Sequence, residues 1–262
     1  MSRGGAQITQ TIAQSIRATV NQRFTPEEKL WIDRIEQLRS AMNGSSEKII
    51  RTDYGAGSPD EDRTKEEMRT GFAMEDSIGN VSRVASKPPF WCGLLFRLLR
   101  DMRPASCIEM GTAVGISASY QAAALKMNGH GRLVTLEGAA ALANIARANF
   151  QQLGLETVEV VVGRFQETLP DVLAQRRPVD YLFVDGHHDE QATLGYFEAM
   201  LPFLGETALL AFDDIDWSDG MKRAWQTIAH DSRVGVAVDL GPVGLCVIAR
   251  SLVRRGYFEI PL

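Results

Sequence analysis

From Ser106 onward the sequence alternates between short apolar runs and longer stretches of helical periodicity. That alternation constrains the fold more than any other feature. The apolar runs are 106–110, 132–136, 157–162, 180–184, 207–212, 233–239 and 243–249. Helical patterns fill 115–127, 139–153, 166–175 and 190–204 between the first five runs, and 219–230 follows the fifth. Short strands joined by helices make a parallel sheet covered on both faces, because each crossover helix must land on a face. Only Gly241-Pro242 and their neighbours separate the last two runs, which predicts an antiparallel hairpin at one edge. The expected fold class is therefore α/β, a doubly wound, mostly parallel seven-stranded sheet with an antiparallel edge hairpin, preceded by an N-terminal helical extension.

The first 87 residues read as that extension, a helical cover over a domain spanning 88–262. Ile8, Ile12, Ile16 and Val20 lie four apart, one apolar stripe on a helix that packs on another element or on a second subunit. A homo-oligomer through these helices is one expectation. Thr25-Pro26-Glu27-Glu28 is a helix start with a Thr cap, Pro at the first helical position and Glu at the capping-box position. Trp31, Ile35, Leu38 and Met42 share one face, and Asn43-Gly44 ends the helix. Residues 44–71 are glycine- and charge-rich with few apolar positions, a mobile loop or solvated helix that would serve as linker or lid, with Tyr54 as the lid's aromatic. Lys87-Pro88-Pro89 then leads into an amphipathic helix carrying Trp91, Leu94, Leu95, Leu98 and Met102.

The stretch Ser106–Ser117 joins the first strand to a helix through Gly111 and Gly115, the layout of a nucleotide-type cofactor site at a strand's carboxyl end. A dinucleotide turn would read Gly-x-Gly-x-x-Gly, and here Ala113 stands where the middle glycine belongs. Glu109, just before the turn, would repel a pyrophosphate and suit a cationic ligand. The second strand ends in Glu137, where a carboxylate can accept both hydroxyls of a ribose.

Glu-Met-Gly-Thr-Ala-Val-Gly-Ile-Ser, then Val-Thr-Leu-Glu137, then Val-Asp-Tyr-Leu-Phe-Val-Asp185-Gly resembles the class I S-adenosylmethionine-dependent methyltransferases. Within them it is similar to the metal-dependent small-molecule O-methyltransferases of the catechol and macrolide-sugar kind. The resemblance covers roughly residues 88–250 and implies a Rossmann-like sheet with S-adenosylmethionine as cofactor. It implies that Glu109, Gly111, Thr112, Ala113, Gly115 and Ser117 form the methionine end of the cofactor site. Glu137 and Gly138 would hold the ribose, Gly163, Arg164 and Phe165 would lie by the adenine, and Asp185 would border cofactor and metal alike.

Two neighbouring strands deliver acids at their carboxyl ends: Asp185 after the fourth, and Asp213-Asp214 after the fifth. Three uncompensated carboxylates repel, so one is protonated or a cation sits among them. Oxygen ligands favour Mg²⁺ or another hard divalent ion. The alternative is that Asp213-Asp214 caps the helix near 218 and Asp185 faces solvent. Metal-dependent relatives hold their ion with acids at these strand ends. Relatives place a lysine or a histidine three residues after the first acid, where this chain has His188, and others use an acid two residues after it, where this chain has His187. An imidazole titrating near neutrality suits proton removal, which makes His188 the catalytic base beside Asp185.

Composition narrows the partners. A net charge of −5 argues against nucleic acid. No apolar stretch reaches a membrane span, and the first ten residues lack a signal-peptide core, so the expected address is cytoplasmic. Cys92, Cys107 and Cys246 are far apart, the last two inside apolar runs, and read as buried thiols. The expected activity is methyl transfer to a hydroxyl of a small molecule, a sugar or polyketide-type compound or a catechol, as in natural-product biosynthesis. Competing readings are metal-free C- or N-methylation, an NAD(P)-dependent oxidoreductase, and a non-catalytic S-adenosylmethionine-binding protein.

Overall fold

The alternating runs become a mixed sheet with helices on both faces. The computed structural model describes residues 3–57, 63–249 and 255–262. The N-terminal part contains α1 (Arg3–Val20), α2 (Pro26–Asn43), β1 (Lys48–Asp53), α3 (Lys65–Thr70), β2 (Phe72–Ser77), α4 (Ile78–Ala85) and α5 (Pro89–Met102). The remainder runs β3 (Ser106–Met110), α6 (Ile116–Asn128), β4 (Arg132–Glu137), α7 (Ala140–Leu153), β5 (Val158–Val162), α8 (Phe165–Arg176) and β6 (Val179–Val184). It finishes with α9 (Glu190–Met200), β7 (Leu204–Asp213), α10 (Asp219–Ala229), β8 (Val236–Asp239), β9 (Val243–Ala249) and β10 (Gly256–Glu259).

The large sheet has the order β10-β8-β9-β7-β6-β3-β4-β5. Its pairings are parallel except those of β9, which runs antiparallel to both β7 and β8. The sheet therefore has eight strands rather than the expected seven, and the hairpin is not its edge. Residues 256–259 are too short and too polar a run to announce a strand, yet they pair with β8 and cover it.

Alternate residues of each central strand enter separate cores. Cys107, Leu133, Tyr181 and Leu209 face one cluster, with side chains from α1, α2, α5, α6 and α7. Ile108, Val134, Leu182 and Leu210 face the other, with side chains from α8, α9 and α10. A fully buried aliphatic side chain contributes roughly 1.5–3 kcal/mol, so both faces of β3 hold the sheet.

Two N-terminal expectations are refined and a third, the capping box at Thr25, is met. Ile8, Ile12 and Ile16 are buried within this chain, so the stripe is used internally, and only Val20 stays exposed. Residues 44–71 contain a strand and a helix. β1 pairs antiparallel with β2 as a small second sheet, and Thr64 and Glu67 form a capping box that starts α3. The capping box at Thr25 and Glu28 forms, and Glu28 also pairs with Arg97 and Arg100 on α5 at 3.2 Å each, which docks α2.

Candidate active site

The carboxyl ends of β3, β4, β6 and β7 open into one cavity of about 790 Å³, closed on its far side by β1, β2, α4 and the segment after β1. Gly111, Ala113, Glu137 and Gly138 form one wall, with Arg164 and Phe165 beside them. Asp185, His188, Asp213 and Asp214 form another. Tyr54, Trp91 and Trp217 also line it.

The turn after β3 is tightly determined. A Cβ on Gly111 would lie 1.8 Å from the Asp185 carbonyl oxygen, and the residue has φ +102°, so only glycine lets the two strand ends meet there. Gly115 begins α6 with φ +85° against the Phe150 ring, away from the cavity. Glu137 accepts from the Ala113 and Ala139 amides at 2.8 Å each, one per oxygen, which ties the first turn to the end of β4. Each oxygen keeps a second lone pair. Burial raises the Glu137 pKa, while those amides oppose the rise.

Five residues expected at the cofactor, Glu109, Thr112, Gly115, Ser117 and Gly163, do not line the cavity. Glu109 is fully buried beneath the turn and accepts from Ser117 Oγ (2.7 Å), Gln121 Nε2 (2.6 Å) and Thr135 Oγ1 (2.6 Å). Thr112 Oγ1 meets Thr135 Oγ1 at 2.7 Å and joins the same network. Gly163 donates its N–H to the Glu137 carbonyl and stays behind it. The physical reason is strand alternation: Glu109 points into the face covered by α6, whose Ser117 and Gln121 lie one helical turn apart and meet it there. Burial pushes the Glu109 pKa up to about 7, against the three hydrogen bonds.

The acid end is built differently. The Lys87 ammonium contacts Asp213 and lies 3.3 Å from Asp214 Oδ1. Burial disfavours its charge, but Asp213, Asp185 and Asp214 outweigh it and hold the ammonium above its ordinary pKa. Burial raises the Asp185 carboxyl and the nearby Asp213 charge adds to the rise; burial likewise raises Asp213, against the Lys87 ammonium. Sequence reasoning missed Lys87, whose only signal was a cation placed directly before Pro88-Pro89.

The two histidines separate by their partners. His187 Nδ1 meets Tyr196 Oη at 2.7 Å and Gln166 Nε2 at 3.3 Å. His188 Nδ1 faces Asp214 Oδ2 at 3.5 Å without a hydrogen bond, and its ring lies 5.8 Å from that of Trp217. Burial lowers the His188 pKa and Asp214 opposes the fall. Ala113 (φ 47°), His187 (73°), His188 (47°) and Asp214 (52°) all have left-handed backbone, four of six such non-glycine residues among those described. Strain of this kind persists where surrounding structure over-determines a functional geometry.

The donor set does not suit a divalent ion as it stands. Lys87 already pairs with Asp213 and Asp214, and no three His, Cys, Asp or Glu side chains among the described residues are arranged to hold a metal.

A doubly wound sheet with a glycine turn after β3 and an acid closing β4 is the arrangement of the class I S-adenosylmethionine-dependent methyltransferases. Residues 108–215 match a methyltransferase domain family. It is 32% identical over 109 residues to the catechol O-methyltransferase of Mycobacterium tuberculosis, covering 41% of this chain and 47% of that protein. It is 30% identical over 126 residues to the catechol O-methyltransferase of Niastella koreensis, covering 47% and 55%. The chain thus matches about half the length of these curated relatives. The O-methyltransferase from Bacillus cereus, solved in complex with SAH, superposes over 92% of this chain and 99% of its own, with TM-score 0.58 and 19% identity, a likeness of fold.

Proposed function

We propose that this chain transfers a methyl group from S-adenosylmethionine to a hydroxyl of a small molecule, with His188 as the base. The observation that carries the reading is the single cavity shared by the Gly111 turn, the Glu137 carboxylate and the His188 side chain. Gly111 and Ala113 would receive the methionine end, Glu137 and Gly138 the ribose, and Arg164 and Phe165 the adenine. The sulfonium carbon is already electrophilic, so the protein's work is alignment and proton removal. The acceptor O–H gives its proton to His188, its oxygen forms the new C–O bond, and the C–S electron pair stays on sulfur, which leaves S-adenosylhomocysteine. The lowered pKa of His188 keeps the ring neutral and able to accept that proton. The Mg²⁺ expected from the acid cluster enters no step, because Lys87 supplies the positive charge there.

Val81, Val84, Trp91, Trp217 and Pro242 give part of the remaining wall an apolar, aromatic surface, while Arg51, Asp53, Arg63, Asp76 and Asn80 make another part polar. The apolar part supports an acceptor with a flat or apolar body, catechol or polyketide-type, over a sugar. No described helix is long and apolar enough to cross a membrane.

Calorimetric titration with S-adenosylmethionine and with NAD tests the cofactor: S-adenosylmethionine binds and NAD does not, and the reverse result overturns the reading. S-adenosylhomocysteine release across a panel of catechols, polyketide phenols and sugars then tests the reaction. Binding without release on any of them favours a non-catalytic role.

A further inference from the structure

We propose that Lys87 is the resident cation of this site, and that its ammonium takes the place at the strand-end acids where a divalent ion would otherwise bind. The inference deepens the methyl-transfer reading and rests on it only for the chemistry served, since the charge arrangement stands by itself.

Charge comes first. Asp185, Asp213 and Asp214 converge from two adjacent strands, and their mutual repulsion needs a compensating charge. Lys87 meets that need from outside the sheet: its ammonium contacts Asp213 and reaches Asp214, with only 9% of its side chain exposed. A divalent ion would need the same oxygens, deprotonated, and would have to sit beside an ammonium. The lysine, already seated on Asp213 and Asp214, opposes that.

The placement of Lys87 is also built. Its carbonyl accepts from Arg39 Nη1 at 2.9 Å and from Cys92 Sγ at 3.3 Å. Arg39 is gripped by both oxygens of Glu36 at 2.9 and 3.0 Å, and Glu36 accepts from the buried Tyr120 hydroxyl at 2.7 Å. A chain of polar contacts from α6 through α2 thus fixes the residue just before Pro88, where α5 begins. A lysine that merely covered a surface acid would need no such support.

In methyl transfer the ammonium can place positive charge beside the acceptor hydroxyl, which favours the oxyanion that develops as His188 takes the proton. Unlike a divalent ion, it has no vacant coordination position to hold two substrate oxygens at once. A single hydroxyl is then enough for recognition at this point.

The test uses metal-depleted, full-length protein and Mn²⁺ as the probe, read by electron paramagnetic resonance with and without S-adenosylmethionine. The wild-type chain leaves Mn²⁺ free in solution, while Lys87→Met, which exposes the acids, gains affinity by roughly tenfold or more. Lys87→Arg, which keeps the charge, stays like wild type. The proposal is overturned if wild type binds Mn²⁺ and Asp213→Asn abolishes the binding, or if Lys87→Met leaves Mn²⁺ affinity where it was. Should Lys87→Met fail to fold, the wild-type and Asp213→Asn titrations are sufficient to uphold or overturn the proposal. S-adenosylmethionine affinity, measured on the same samples, reports the methyltransferase reading separately: its loss would leave the manganese result standing.

Discussion

Two buried carboxylates on β3 and β7 of one sheet, with β6 between them, are satisfied in opposite ways. Glu109 beneath the turn takes three neutral donors, from two hydroxyls and an amide. Asp213 takes a lysine, with the charges of other carboxylates nearby. Neutral donors in fixed positions hold the first cluster in one arrangement, and the chain there can serve as a rigid floor. Charged groups packed against one another leave the second cluster able to exchange protons, beside a histidine whose buried Nδ1 makes no hydrogen bond. The difference separates the part proposed to hold the cofactor from the part proposed to react.

The largest break comes where the two parts touch. Gly111→Ala drives a methyl group into the Asp185 carbonyl at a left-handed position, and strain plus overpacking cost about 4 kcal/mol or more. Chemical denaturation should show that loss together with lost cofactor binding. His188→Gln attacks the reactive part alone. Turnover with the best acceptor of the panel should fall roughly 10²–10⁴-fold, with S-adenosylmethionine affinity unchanged by calorimetry.

The same histidine sets a pH dependence. Its pKa is lowered by burial and by Lys87, raised by Asp214 and Asp53. Wild-type turnover should hold at neutral pH and fall only below the ordinary imidazole range, as His188 gains a proton. A fall beginning above that range would contradict the assignment.

Glu109 sharpens the rigid side. Its folded pKa of about 7 lies above its ordinary value of 4.5, so the folded state binds the proton more tightly. The stability this contributes is present below pH 4.5 and is lost as pH rises through 7, by roughly 2–4 kcal/mol. Glu109→Gln should flatten that slope in denaturation measured across the window. The smallest effect is expected at Tyr54, whose ring lies against Gly138. Tyr54→Ala should weaken S-adenosylmethionine binding by about fivefold and leave the acid cluster unaffected.

Much of the fold was legible because period and turn chemistry coincide from Ser106 to Ala249. The glycine turn, the acids at Glu137, Asp185 and Asp213-Asp214, and the capping box at Thr25 stand where their residue types require. β10 was not legible, because its pairing is decided by the open edge of β8 and not by its own residues. Glu109 and Ser117 misled for a related reason. Sequence places them beside the turn, but which way a side chain points depends on which face the next helix covers. Lys87 was invisible as a site residue because its partners lie far along the chain and meet it only in the folded state.

One main-chain contact between distant parts of the molecule leaves room for variation. The Ala56 amide donates to the His187 carbonyl at 3.0 Å, which joins the segment after β1 to the loop that carries the base. Both partners are main-chain atoms, so nearly any residue but proline at position 56 preserves the link. The side chains of that segment are therefore free to diversify toward new acceptors while the histidine loop keeps its anchor.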